Sequence, residues 1–151
     1  MSVKPVFCVC IIFFITIFFS CQKSISDFAG GSDSTGHTVA SIAGVYKLKS
    51  IVWTYAGTSI NIYDSLDACE KDDLYNFRSD YSFIRTDTGI VCNPPNSGAA
   101  LWGIRNDSFY TVVGSSVSIA KIKSYDGTNL ALQGTPPSDP TVVAVTTFTK
   151  Q

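Results

Sequence analysis

The chain has 151 residues, 45% hydrophobic and 15% charged, with a formal net charge of −1. That length fits one domain behind a targeting segment, and that apolar content lets most of the chain fold around a core. The near-neutral balance, with no stripe of Lys or Arg, excludes a phosphate-backbone partner, so no nucleic acid is expected, while 13% aromatic content dominated by Phe and Tyr favours pleated sheet.

The first element is an export signal. Lys4 is a short positive region, and residues 6–19 (VFCVCIIFFITIFF) form an apolar run too short for a comfortable membrane span. Ser20 and Cys21 follow directly. This ending resembles the lipobox of bacterial lipoproteins, with Phe18 where Leu is usual and Phe19 where a small residue is usual. The resemblance implies that residues 1–20 are a signal peptide and that Cys21 becomes the acylated first residue. The rival reading is an uncleaved anchor or an ordinary secretory signal. The expected address is the cell envelope, lipid-anchored at the outer membrane and facing periplasm or exterior, with the membrane as a partner through Cys21 alone. Residues 21–41 read as a flexible tether rich in Ser, Gly, Asp and Thr, and His37, the only histidine, falls within it.

The folded domain is expected over 42–151. Its first strand is GVYKLKSIVWTY at 44–55, with Val45, Lys47, Lys49 and Ile51 on one face and Tyr46, Leu48, Ser50 and Val52 on the other. Gly57 turns it, and Ile60 and Ile62 mark a short second strand. Residues 64–73 have room for a single helical turn. DLYNFRS and YSFIRTD then form a hairpin around Asp80, with Tyr75 and Phe77 opposing Leu74, Asn76 and Arg78. Pro94-Pro95 breaks the next loop, because neither residue can donate to a ladder. ALWGIRND and SFYTVVG pair across Asn106-Asp107, SVSIAKIKSY and TNLALQG across Asp126-Gly127. After a second Pro-broken loop, TPPSDP, the chain closes with Val142, Ala144, Thr146 and Phe148 on one face. About eight short strands at roughly 8–12 residue spacing indicate an all-β meander, barrel or sandwich.

The chemistry-bearing residues are few. Cys8 and Cys10 leave with the signal and Cys21 takes the lipid, so Cys69 and Cys92 remain as an even pair in an oxidising compartment, read most simply as one disulfide. A metal site would want more ligands nearby, so no metal and no cofactor are expected. Asp64, Asp67, Glu70, Asp72 and Asp73 include carboxylates that acid–base chemistry could use, but acidic residues at the mouth of a hairpin are more simply solvated. With no His outside the tether and no free thiolate, the chain is not expected to be an enzyme.

GVYKLKSIVW, CEKDDLYNFRSDYSF, Cys92, ALWGIRNDSFYT and VVAVTTFTK together resemble the lipocalin-like domain of secreted bacterial lipoproteins over residues 44–150, with Tyr46 where that family often has Trp. The resemblance implies a small up-and-down antiparallel β-barrel of about eight strands. It implies a Cys69–Cys92 bridge tying the hairpin entrance to the loop after it, and a small hydrophobic ligand. Candidate lining residues are Tyr46, Leu48, Trp53, Tyr75, Phe77, Phe83, Trp102, Phe109 and Tyr110, each with the plainer alternative of being core. The competing expectation is a non-enzymatic interaction or inhibitor protein acting through its Pro loops, where restricted backbone lowers the cost of ordering on binding.

Overall fold

The computed structural model describes residues 36–151. The signal segment, Cys21 and the first part of the tether lie outside them. The chain is all-β: nine antiparallel strands, of which eight close an up-and-down barrel and one is an addition. In chain order they are β1 (Gly44–Tyr55), β2 (Thr58–Asn61), β3 (Leu74–Phe77), β4 (Ser82–Thr86), β5 (Gly98–Arg105), β6 (Ser108–Val113), β7 (Ser116–Tyr125), β8 (Asn129–Gly134) and β9 (Val143–Lys150). Each pairs with the next from β3 to β9, and β1 pairs with both β3 and β9. Closure removes the edges that an open sheet would present to other chains. The extra strand, β2, pairs only with the far half of β1, from Val52 to Tyr55.

Turn chemistry sets these hairpins. Asn106 and Asp107 both adopt positive φ, 49° and 61°, as does the pair Ala56 and Gly57 at 47° and 81°. This backbone twist suits two-residue hairpins. At Asp126-Gly127 only Gly127 takes positive φ. Asp126 instead accepts from the backbone N–H groups of Thr128 (2.8 Å) and Asn129 (2.6 Å).

Two bulges decide which side chains point inward. Between Leu48 and Ser50 the β1–β9 register shifts by one, with Lys49 as the extra residue. The simple alternation read from the sequence therefore holds only to Leu48. Beyond it Ile51 and Trp53 face inward, opposite Thr146 and Ala144, and Ser50 and Val52 face out. A second shift between Ile122 and Ser124 turns Tyr125 inward, opposite Leu130.

The core lies at one end. Phe77 is its hub, with ring centroids of Phe83, Phe109, Trp102, Tyr46 and Phe148 at 5.0, 5.1, 5.3, 5.6 and 6.1 Å. Aromatic pairs of this kind add about 1 kcal/mol each beyond area burial. Trp102 donates its indole N–H to the Arg78 carbonyl at 2.8 Å, so its one polar atom is satisfied inside.

A short helix, α1 (Val39–Ile42), plugs this end. The sequence reading left these residues within the flexible tether or at the domain's first position. Thr38 caps the helix through the Ser41 N–H at 3.1 Å, and Ile42 is wholly buried in the core. The Tyr46 hydroxyl donates to the Ile42 carbonyl at 2.5 Å, and burial pushes its pKa far up, with Tyr125 adding to the shift. The ordered fold thus begins before Ile42.

Candidate functional site

The ends of the barrel differ. The sealed end carries α1, the Arg78–Ser82 turn and the Asn106 and Asp126 hairpins. The opposite end carries the β1–β2 hairpin, residues 62–73, the 87–97 loop, the Gly114-Ser115 turn and the 135–142 loop. At this second end the inward register is incompletely filled. Thr111 opposes Ser118 and Trp102 in that register, and Ser118 is exposed. Phe83 opposes Ala100, and Trp53 opposes Ala144. Trp53, Tyr75 and Phe83 are half-buried, whereas Tyr46, Leu48, Phe77, Trp102 and Phe109 are buried.

The nine sequence-named lining residues therefore divide. Tyr46, Leu48, Phe77, Trp102 and Phe109 form the sealed core. Tyr75 and Phe83 face inward and pack half-buried on that core, and Trp53 faces inward nearer the mouth. Tyr110 does neither: it opposes Gly103 and Ile119 on the outer wall, because it follows the inward-facing Phe109 along the strand. It is removed from the lining set. Trp53 shares the face of Tyr46 and Leu48 only because Lys49 bulges out between them.

The rim is apolar. Tyr55 and Ile60 on the β1–β2 hairpin, Ile90 and Val91 on the 87–97 loop, Val113 beside the Gly114 turn and Val143 at the start of β9 are all exposed. Beside β1, where β3 ends and β2 has its own pairing, residues 62–73 run as a strap. It contains a 3₁₀ turn (Tyr63–Ser65) and a second short helix, α2 (Ala68–Lys71). Tyr63 and Leu66 pack onto the core cluster, and the Ile62 N–H donates to the Ile51 carbonyl at 2.8 Å.

The disulfide joins Cys69 on α2 to Cys92 in the loop, with Cα atoms 5.2 Å apart. Strap and loop are knit further by Asp72, whose carboxylate accepts from the Ile90 N–H at 2.8 Å, and whose carbonyl accepts from Thr88 at 2.7 Å. Asp87 accepts from the N–H groups of Cys92 and Asn96. Cys69 is thus a structural pin rather than a free thiol among carboxylates.

One charged cluster faces inward. Tyr75 and Phe77 lie on the inner side of β3, Asp73 precedes the strand in the same alternation, and Arg85 opposes Tyr75 across the ladder. Asp73 is wholly buried, and its Oδ2 accepts from Arg85 Nε at 2.7 Å and pairs with Nη2 at 2.5 Å. The Arg85 side chain keeps 29% exposure and lies 5.5 Å from the Tyr75 ring centre. Asp73 Oδ1 is buried with no hydrogen-bond partner among the described residues. Burial raises the Tyr75 pKa, with Arg85 opposing and Asp73 and Glu70 adding to the rise. Sequence reading put Asp73 in a solvated acidic run. Its phase with Tyr75 and Phe77 was the signal for burial.

The charge is polarised. Carboxylates at the mouth end are Asp64, Asp67, Glu70, Asp72, Asp73, Asp87 and Asp139, against only Lys71 and Arg85. Among the described residues, Lys47, Lys49, Arg78, Arg105, Lys121, Lys123 and Lys150 lie toward the sealed half, with Asp80, Asp107 and Asp126 on its turns. His37 is also at that end, its ring 6.1 Å from Tyr125 and remote from the mouth.

Compared with known proteins, the chain matches no family model, no curated protein and no solved structure.

Proposed function

We propose that the protein is a lipid-anchored envelope lipoprotein of lipocalin-like type, whose barrel takes a small apolar ligand at its open end. The observation that carries this reading is the asymmetry of the interior. One end is packed solid and plugged by Ile42, while at the other Trp53, Tyr75 and Phe83 face inward half-buried behind an apolar rim. Partly filled inner faces lined by rings, with few polar groups, suit apolar small molecules. The resemblance of residues 44–150 to lipocalin-like lipoprotein domains, and of the Ser20-Cys21 ending to a lipobox, supports the family and the address. A non-catalytic role fits the carboxylates' local duties in caps, turns and an ion pair.

The test is a native mass spectrum of protein purified gently from its own envelope, beside a denatured one. The expected result is a near-stoichiometric extra mass that departs on denaturation. The denatured chain should lack residues 1–20 and carry lipid on Cys21. An empty barrel at full occupancy of the lipid anchor would overturn the carrier reading.

A second reading, an interaction or inhibitor protein, draws on the exposed Ile90 and Val91 in the disulfide-pinned loop that also holds Pro94-Pro95. That reading expects Ile90→Ser with Val91→Ser to abolish co-purification of a partner while leaving any bound small molecule in place.

A further inference from the structure

The ligand class can be narrowed at the inward-facing Asp73, Arg85 and Tyr75, with Glu70 on the adjoining helix α2, and the inference rests on the small-ligand reading above. Two observations converge. Carboxylates far outnumber cations around the mouth, so the local potential is negative and is focused where the walls are apolar. Independently, Asp73, which is 0% exposed, holds one carboxylate oxygen against Arg85 and leaves the other, Oδ1, without a donor. A buried acceptor left unmade is costly, and the bond of Asp73 to Arg85, which opposes Tyr75 across the ladder, sets it on the side of Tyr75. Arg85 offsets one charge only. Glu70, on α2 three positions before Asp73, accepts from the Asp67 N–H through Oε2 at 3.1 Å and has a second carboxylate oxygen.

We propose that the mouth binds a cationic amphiphile carrying a primary ammonium group. The apolar tail lies among Trp53, Tyr75 and Phe83. The ammonium donates toward Asp73 Oδ1 and is held by the Glu70 carboxylate. An anionic head would meet Arg85, but that guanidinium is already committed to Asp73 through two of its nitrogens. A neutral head would satisfy the acceptor while gaining nothing from the surrounding charge.

The experiment uses the acylated protein in mild detergent-free nanodiscs, titrated below micelle formation with dodecylammonium, dodecanol and dodecanoate, and read by calorimetry. Dodecylammonium should bind at least about tenfold tighter than dodecanol, and dodecanoate weakest of the three. The ammonium preference should shrink as salt rises from about 20 mM to about 0.5 M, since the field at the mouth is screened. Glu70→Gln keeps an oxygen for the Asp67 N–H and removes the charge. It should cut the ammonium-to-alcohol affinity ratio about fivefold. Asp73→Asn would be informative only if folded, and Glu70→Gln does not depend on it.

Equal binding of amine and alcohol, or a ratio unmoved by Glu70→Gln, would overturn this inference and leave the apolar-carrier reading standing. Tightest binding of dodecanoate would also overturn it and hand the head-group role to Arg85. Binding of none of the three would overturn both.

Discussion

Asp73 shows how much one residue can carry at this scale. A wholly buried carboxylate is tolerated because Arg85 meets it with two nitrogens, and the two partners are not equivalent. The Arg85 side chain keeps 29% exposure and can turn to water if its partner is lost, whereas Asp73 cannot. Arg85→Ala is therefore expected to cost about 3 kcal/mol in a urea titration, and Asp73→Asn clearly less. Equal losses for the two would mean the carboxylate finds solvent after all. Asp126 makes the opposite case, fully exposed but firmly bonded. The Asn129 backbone N–H first, then its side-chain amide and the Thr128 N–H, hold its carboxyl down at about 2. A folded-state value below the unfolded one means stability that is complete above the ordinary carboxylate range and lost as pH falls through about 2. Asp126→Asn keeps the acceptor oxygen and removes that linkage. Its urea midpoint should fall below that of the parent near pH 6, and the gap should close by about pH 2. A constant gap across the range would assign the effect to geometry rather than charge. Asp126 was legible as a turn residue beside Gly127, whereas the pairing of Asp73 with Arg85 was not. Asp73 sits in the run Glu70-Lys71-Asp72-Asp73, which reads as solvated, and composition alone cannot say that a neighbouring strand will supply a guanidinium.

Elements were far more legible than faces. All nine strands coincide with runs bounded by turn residues, because alternation and Gly, Asn, Asp or Pro punctuation act locally. Which side of a strand points inward is not local. In β1 it depends on Lys49 bulging against β9, a strand nearly a hundred positions later, and so Trp53 reaches the mouth against its apparent phase. In β7 the larger apolar pair, Val117 and Ile119, faces out while Ala120 and Ile122 face in, so hydrophobicity alone chooses the wrong side. The strap was legible only as room for one helical turn, since it has too little apolar content to announce where it packs. Its pin was legible by cysteine accounting. The Cys69–Cys92 link closes a loop with a separation of 23, and replacing both with Ser should lower stability by about 3 kcal/mol on a chain-entropy model. The same variant should raise amide exchange selectively over 62–73 and 87–97, measured by hydrogen–deuterium exchange, because the bonds of Asp72 to Thr88 and Ile90 would then be left to tie strap to loop. Faster exchange spread evenly through β5–β8 would instead make the disulfide a global staple.

At the scale of the whole molecule, the barrel is asymmetric in packing, polarity and charge together. The eighth seam joins β1 to β9, the first and last strands, so closure is the most non-local pairing in the fold. The plug that seals one end comes from just before the first strand. Ile42 is wholly buried among the core residues, and its carbonyl is the acceptor for the Tyr46 hydroxyl, itself 0% exposed. Tyr125 adds a further tie by donating to the Ser41 carbonyl at 2.7 Å. A chain starting at 44 keeps every strand but loses all three contacts. Burial of an isoleucine contributes about 2 kcal/mol and an orphaned buried hydroxyl costs about 1 kcal/mol or more. The domain from residue 44 should therefore unfold at least about 3 kcal/mol more easily than one from residue 36, by urea titration with Trp102 fluorescence as the reporter. If the chain from 44 were as stable as the chain from 36, the sealed end would not need its plug. The barrel would then be open in principle at both ends, and the asymmetry on which the ligand site is argued would lose its physical cause.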